Sequence, residues 1–419
     1  MIDSKSKINH VLTEASVNVI SLVICQVLNY VIPVLLTPYL IKTVGVEKFG
    51  QISILQTILF YLVIVVNYGF NLSGPIELVK QKNADSSVFF SDIINTKLLL
   101  MLCVSVIGFV IPLCYGFTVG DALYIFLSYF LYLLGIVLFP EWFFHGMQKL
   151  HYLVLFFIVW KAAYCISIFV FVDLPSDYLN IVFFDAVLIS IIGIISFIFV
   201  LFSFNVSYKL STYEAIKLKI KMDKYIFFSN ILTMLYTRGG FLLLGLSASS
   251  ISVANFAIAD KYIFIVNGAL SMVNRISIPY LSIFRSNKTD SQYKIYVKYL
   301  IYSCLVIGIA LFIVSFFLSD YISFWLNNGY NKNVSKLMKV LSISFVTSSL
   351  CSFASSILLI ENLSNKVNHI NIFGFVIGIL VILPLIYLFE EYGLALGIAI
   401  NSTILSLVCC YYLKLHKIL

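Results

Sequence analysis

VNVISLVICQVLNYVIPVLLTPYLI, residues 17–41, holds no charged residue and is longer than the roughly 20 apolar residues that carry a helix across a bilayer. The sixteen residues before it are polar and include Lys5 and Lys7. The run is too long for a cleaved signal core, and no small-x-small pattern closes it, so the sequence predicts an uncleaved first span. Similar runs recur along the whole chain. The composition agrees: 61% of the 419 residues are hydrophobic and 11% charged, with a mean hydropathy of +1.03. Soluble domains carry about 25% charged residues, so the reading is an all-α integral membrane protein.

The runs place spans near 17–41, 49–71, 93–115, 122–140, 153–172, 180–204, 225–247, 252–284, 296–318, 337–360, 369–389 and 392–413, about twelve transmembrane helices in all. With the amino terminus inside, seventeen of the 27 Lys and Arg fall in inner segments or at the inner mouths of spans, and five (Lys42, Lys48, Lys332, Lys336, Lys339) in outer segments or at an outer mouth. The remaining five lie within spans. By the positive-inside rule both termini are cytoplasmic. The net charge of +8 is thereby a matter of orientation, and nucleic acid is not an expected partner. The eight cysteines (Cys25, Cys103, Cys114, Cys165, Cys304, Cys351, Cys409, Cys410) all sit in apolar runs without CxxC or histidine spacing, so they read as small buried hydrophobes, with no metal site.

The longest polar segment, 207–224, carries Lys209, Lys217, Lys219, Lys221 and Lys224. It divides the chain into an amino-terminal six-helix bundle, 1–206, a basic cytoplasmic linker, 207–224, and a carboxy-terminal six-helix bundle, 225–419. Six spans per half give both halves one orientation, so any repeat would be related by an axis along the membrane normal. The faint likeness of VGVEKFGQISILQTI to SASSISVANFAIADKYI, after the first and seventh spans, fits such a repeat.

Pro33 and Pro38, both able to kink a helix, lie in the first span, which a short Gly-bounded link joins to the second. Across this region Asn29, Pro38, Tyr39, Gly45, Phe49, Gly50, Gln51, Tyr68, Gly69 and Phe70 match the amino-terminal signature of bacterial polysaccharide exporters, the O-antigen flippases of Wzx type. FPEWFFHGMQKLHY, with Pro140, Trp142, Phe143, Gly146 and Lys149, resembles a second pattern of that family. The resemblance covers the whole chain. It implies a multidrug-exporter-like fold of two six-helix bundles facing each other across a central cavity. The implied cargo is an undecaprenyl-pyrophosphate-linked oligosaccharide, an O-antigen or capsule repeat unit, flipped by alternating access from the cytoplasmic to the periplasmic leaflet of the inner membrane. A polymerase and a chain-length regulator of the same pathway are implied partners, beside the membrane lipids. A carrier is needed because each unpaired hydroxyl costs several kcal/mol in hydrocarbon.

Ionisable groups deep in apolar runs should line such a path: Lys161, Asp185, Arg238, Asp260, Lys261 and Arg275. Each costs at least about 2.5–3.5 kcal/mol at the bilayer centre unless it faces a bundle interior. Four cations against two anions suit a pyrophosphate or acidic sugars. Lys261 and Arg275 are separated by about 21 Å in height and about 40° around their helix, with Gly268 and Met272 on the same stripe. Lys161 and Arg238 are the further cargo-binding candidates, and Asp260, Asp185 and Glu141 those for ion coupling or pairing. The bland alternative is that these cations snorkel to headgroups or pair locally, Lys261 with Asp260. Lys97, about 9 Å inside the third span, is read as snorkelling. Glu141 and His145 mark the cytoplasmic end of the fourth span, where either could gate or take a proton, although a lone interfacial histidine is more often an ordinary surface group.

No GxxxxGK[ST] phosphate loop occurs, so the energy should come from a proton or sodium gradient, or from consumption of the cargo, and no cofactor is expected. Two alternatives stand beside the flippase. One is a drug or metabolite exporter of the same superfamily. The other is a membrane-embedded polymerase or ligase, which as a family carries a large catalytic outer loop. Here the longest outer loop, 319–336, has Asp320 as its one acid, so the chain does not read as an enzyme.

Overall fold

The computed structural model describes residues 2–80, 86–287, 290–361, 363–416 and 418, and every regular element in them is helical. In chain order these are α1 (Ile2–Asn67), α2 (Phe70–Lys80), α3 (Ser86–Cys114), α4 (Val119–Leu138), α5 (Glu141–Gly146), α6 (Leu150–Phe171), α7 (Asn180–Ser203), α8 (Tyr213–Ser247), α9 (Ser250–Asn287), α10 (Asp290–Asn327), α11 (Lys332–Leu341), α12 (Ser344–Ile360) and α13 (Ser364–Leu415). Among the described residues nine helices are long and apolar enough to cross a membrane, or ten if the pair Tyr213–Leu235 and Thr237–Ser247, bent by 53°, is one span. Two of the nine, Val23–Lys80 and Asn365–Leu415, are 58 and 51 residues long. At 1.5 Å per residue each is more than twice as long as a hydrocarbon core of about 30 Å is thick. Each also contains a break, at Gly45 (φ 83°) and Glu390 (φ 48°), with room for a crossing on either side. Gly45 lies in the link expected after the first span, and its left-handed backbone is one that glycine adopts without strain.

The chain forms two compact units, residues 1–32 with 55–231 and residues 33–54 with 232–419. The segment expected as a linker, 207–224, thus lies wholly in the first, while the stretch containing Gly45 belongs to the second.

In the first unit α4 and α7 meet backbone to backbone. A Cβ on Gly135 would lie 2.6 Å from the carbonyl carbon of Ile189, and one on Gly193 would lie 2.5 Å from the carbonyl oxygen of Gly135. Small residues serve in lipid because close backbone approach supplies the packing that water expulsion supplies elsewhere. Tyr129 of α4 donates to the Leu55 carbonyl at 2.6 Å. Trp142 of α5 is fully buried against Phe89, Phe90 and the face of Gly74. Residues 207–211 are strapped along α3: the amide of Ser207 donates to Ser87 Oγ at 3.0 Å, Asn95 Nδ2 to the Lys209 carbonyl at 2.9 Å, and Tyr208 Oη to Asn95 Oδ1 at 2.6 Å. This burial pushes the Tyr208 phenol above its ordinary range. From Tyr213 the chain is helical, well before position 225, because Glu, Lys, Leu and Ala are good helix formers even where they are too polar to span.

In the second unit α9 is central. Asn267 donates to Ser344 Oγ at 3.2 Å, and Asn274 to Ser352 Oγ at 2.6 Å and Ser356 Oγ at 3.1 Å, forming a polar seam with α12. Gly308 of α10 seats on the Phe345 carbonyl and Val346 Cα of α12, each 2.9 Å from where its Cβ would be. Gly50 of α1 lies against the start of α9, where a Cβ would collide with the Ser250 carbonyl oxygen. A buried cluster including Leu281, Val297, Ile357, Leu358 and Leu413 joins α9, α10, α12 and α13.

Candidate functional site

The first unit holds Lys161 on α6 and Asp185 on α7, with Lys161 Nζ 3.7 Å from Asp185 Oδ1. Trp160 completes the group: its Nε1 donates to the same carboxylate oxygen at 2.9 Å, and its ring lies 3.7 Å from Lys161 Nζ. Asp185 thus accepts from an indole while sharing the field of a lysine that is also held by a π face. Glu141, the first residue of α5, accepts from Asn71 Nδ2 at 3.2 Å, and its other carboxylate oxygen lies 3.8 Å from His145 Nε2.

In the second unit Arg238 of α8 and Asp260 of α9 form a 2.5 Å ion pair, with the guanidinium 4.8 Å above the Phe264 ring. Lys261 follows Asp260 directly but points elsewhere. Its Nζ lies 3.4 Å from Thr37 Oγ1 and 4.3 Å over the ring of Phe49, both on α1. Successive helical residues diverge by about 100°, so adjacent side chains do not face one partner. The local Lys261–Asp260 pair considered from the sequence is therefore replaced by Arg238–Asp260. Among the described residues Lys261 has no carboxylate within 4 Å, whereas Lys161 and Arg238 each have one. α9 runs unbroken through positions 261 and 275, but the side chain of Arg275 lies outside the described residues.

Lys97 does not snorkel. It is 1% exposed, and α3 begins at Ser86, which puts it about 16 Å along the helix. Its Nζ donates to the carbonyl of Ile136 at 3.2 Å. Hydropathy gave no sign of this, because the acceptor is a main-chain atom on another helix.

The residues behind the family resemblance are packing points. Phe49 is 1% exposed and forms the floor under Lys261, Tyr68 stacks on Phe227 with centroids 4.2 Å apart, and Gly69 adopts φ 110° against Ile226. Gly146 of α5 similarly seats on Leu78 and Pro75.

A family described as "Polysaccharide biosynthesis protein" matches residues 16–285. An Escherichia coli (strain K12) protein named "Putative O-antigen transporter" is 25% identical over 405 residues, 96% of this chain and 97% of that protein. A protein of the same name from Shigella dysenteriae is 26% identical over 394 residues, 93% and 98% of the two chains. Among solved structures, "Lipid II flippase MurJ, inward closed conformation" superposes with a TM-score of 0.74 at 15% identity, covering 95% of this chain and 87% of that one. An inward-facing multidrug resistance transporter of the MATE family, in the MOP superfamily, gives 0.70 at 12% identity, covering 95% and 98%. At these identities the structural likeness establishes a shared all-helical transporter fold.

Proposed function

We propose that this chain, which belongs to the polysaccharide biosynthesis protein family, carries a lipid-linked oligosaccharide from one leaflet of the membrane to the other without altering it covalently. The cargo is a repeat unit on undecaprenyl pyrophosphate, moved from the cytoplasmic to the periplasmic leaflet of the inner membrane by alternating access. Both termini then lie in the cytoplasm. Two relatives named for O-antigen transport, aligned over nearly their whole lengths, support the cargo class.

The observation that carries the residue-level reading is the state of Lys261. It is held by a hydroxyl and a ring face, and among the described residues no carboxylate lies within 4 Å of it. A phosphate oxygen offers such an ammonium the charge-assisted bond that Asp260 offers Arg238, where Asp185 gives Lys161 a looser ionic partner at 3.7 Å. In this proposal Lys261 holds anionic cargo, with Arg275 on the same helix. The paired groups Lys161–Asp185 and Arg238–Asp260, and Glu141, then take the coupling ion, a proton or sodium, or shape the path.

Deleting the gene tests the cargo. Surface polysaccharide should disappear while lipid-linked single units accumulate in the cytoplasmic leaflet. Single units reaching the periplasm unpolymerised would point to a polymerase instead, and unchanged polysaccharide would point to an exporter of other compounds.

A further inference from the structure

Lys97 stands apart from the other intramembrane charges: it is buried in the first unit with a backbone acceptor as its described partner. That acceptor is the carbonyl of Ile136, in the last turn of α4. The last carbonyls of any helix lack an intrahelical donor, and here the helix ends in a protein interior where water does not replace one. Pro140 explains why it ends there. Proline supplies no amide to the carbonyl four residues back, and it disfavours the helical backbone at the residue before it. Phe139 is accordingly extended, at φ −81° and ψ 101°, and its amide closes the helix on Gly135. The next carbonyl, that of Ile136, is left for Lys97. An ammonium there also meets the negative end of the α4 dipole.

Beyond the break the chain enters α5, which carries Glu141 and the Trp142–Phe143 pair. Its three central aromatics, Trp142, Phe143 and Phe144, are each at most 1% exposed. The placement of α5 depends on where α4 stops and in which direction the chain leaves it.

We propose that Lys97 is a positioning residue that caps the proline-terminated end of α4 and thereby fixes α5, together with Glu141, within the first unit. It acts as a donor to the main chain and does not touch cargo. The cap is independent of which cargo the protein carries, since its first readout involves none.

The test uses purified full-length protein in which Trp160 and Trp325 are replaced by phenylalanine, so that Trp142 is the one remaining tryptophan. Lys97→Met keeps the apolar stem and removes the donor. Its Trp142 emission should shift to the red as α5 loosens. Lys97→Arg and Lys97→Gln, which both retain a donor, should keep the blue-shifted emission of a buried indole. In the natural tryptophan background, polysaccharide output at matched protein level should fall several-fold in Lys97→Met and recover most of its value in Lys97→Gln. Unchanged emission and output in Lys97→Met would overturn the proposal. So would Lys97→Gln losing output while Trp142 emission stays blue, because the charge itself would then be in use. A strain that makes no such polysaccharide would still give the fluorescence result, so failure of the transport reading and failure of the cap are separable.

Discussion

Replacing Lys261 by glutamine removes one cation from the second unit and very little from its packing. The losses to the fold are a 3.4 Å contact with Thr37 Oγ1, at the long limit for a hydrogen bond, and a ring contact at 4.3 Å. Thr37 keeps its own 2.6 Å bond to the Pro33 carbonyl, so no buried group is orphaned. A cation–π contact of this kind contributes about 0.5–2 kcal/mol, too little to remove the protein from the membrane. The loss to an anionic cargo is larger in its effect on function. One charge-assisted hydrogen bond in a desolvated site contributes about 1.5–3 kcal/mol, roughly tenfold to a hundredfold in affinity. Lys261→Arg should restore part of that, since it keeps the charge but changes the geometry. The assay is surface polysaccharide in a deletion strain complemented at limiting expression and normalised to membrane protein level. Exposed Lys80→Gln serves as the silent control. Wild-type output from Lys261→Gln, alone and combined with Arg275→Gln, would refute the cationic-site reasoning.

Two further outcomes can be checked independently. Arg238→Gln strands the Asp260 carboxylate and should lower the amount of protein in the membrane, by less than the about 3–5 kcal/mol of a fully buried pair because both side chains are partly exposed. Arg238→Gln with Asp260→Asn should recover that amount, as read by quantitative immunoblot, and no recovery would mean the two are not energetically coupled. Reporter fusions after Lys149, Lys221 and Arg285 should report cytoplasm and those after Thr118, Asp177 and Gly329 periplasm, and inversion at two or more of these sites would overturn the orientation.

The helices were legible because the signals for them are local. An apolar run of given length, a glycine that permits a left-handed turn at Gly45 and a proline that ends a helix at Pro140 act within one or two turns of chain. The ionisable residues inside apolar runs could also be read off, since residue type and place in a run are local, although Lys97, which reads as snorkelling, is in fact buried. Their partners were not legible. Asp260 is adjacent to Lys261 in sequence yet bonds Arg238, 22 residues away on another helix. Lys97 looked close enough to the membrane surface to reach it, yet it points at the main chain of α4. Which side chains meet depends on the rotational phase of each helix and on which helix lies beside it, and both are fixed by contacts such as Gly135 on Gly193 that join distant parts of the chain. The sequence by itself therefore determined which stretches are apolar enough to span and which ionisable residues those stretches contain. The tertiary structure decided which of those charges are neutralised within the protein, because an ion pair needs two groups within about 4 Å and chain order does not set that distance.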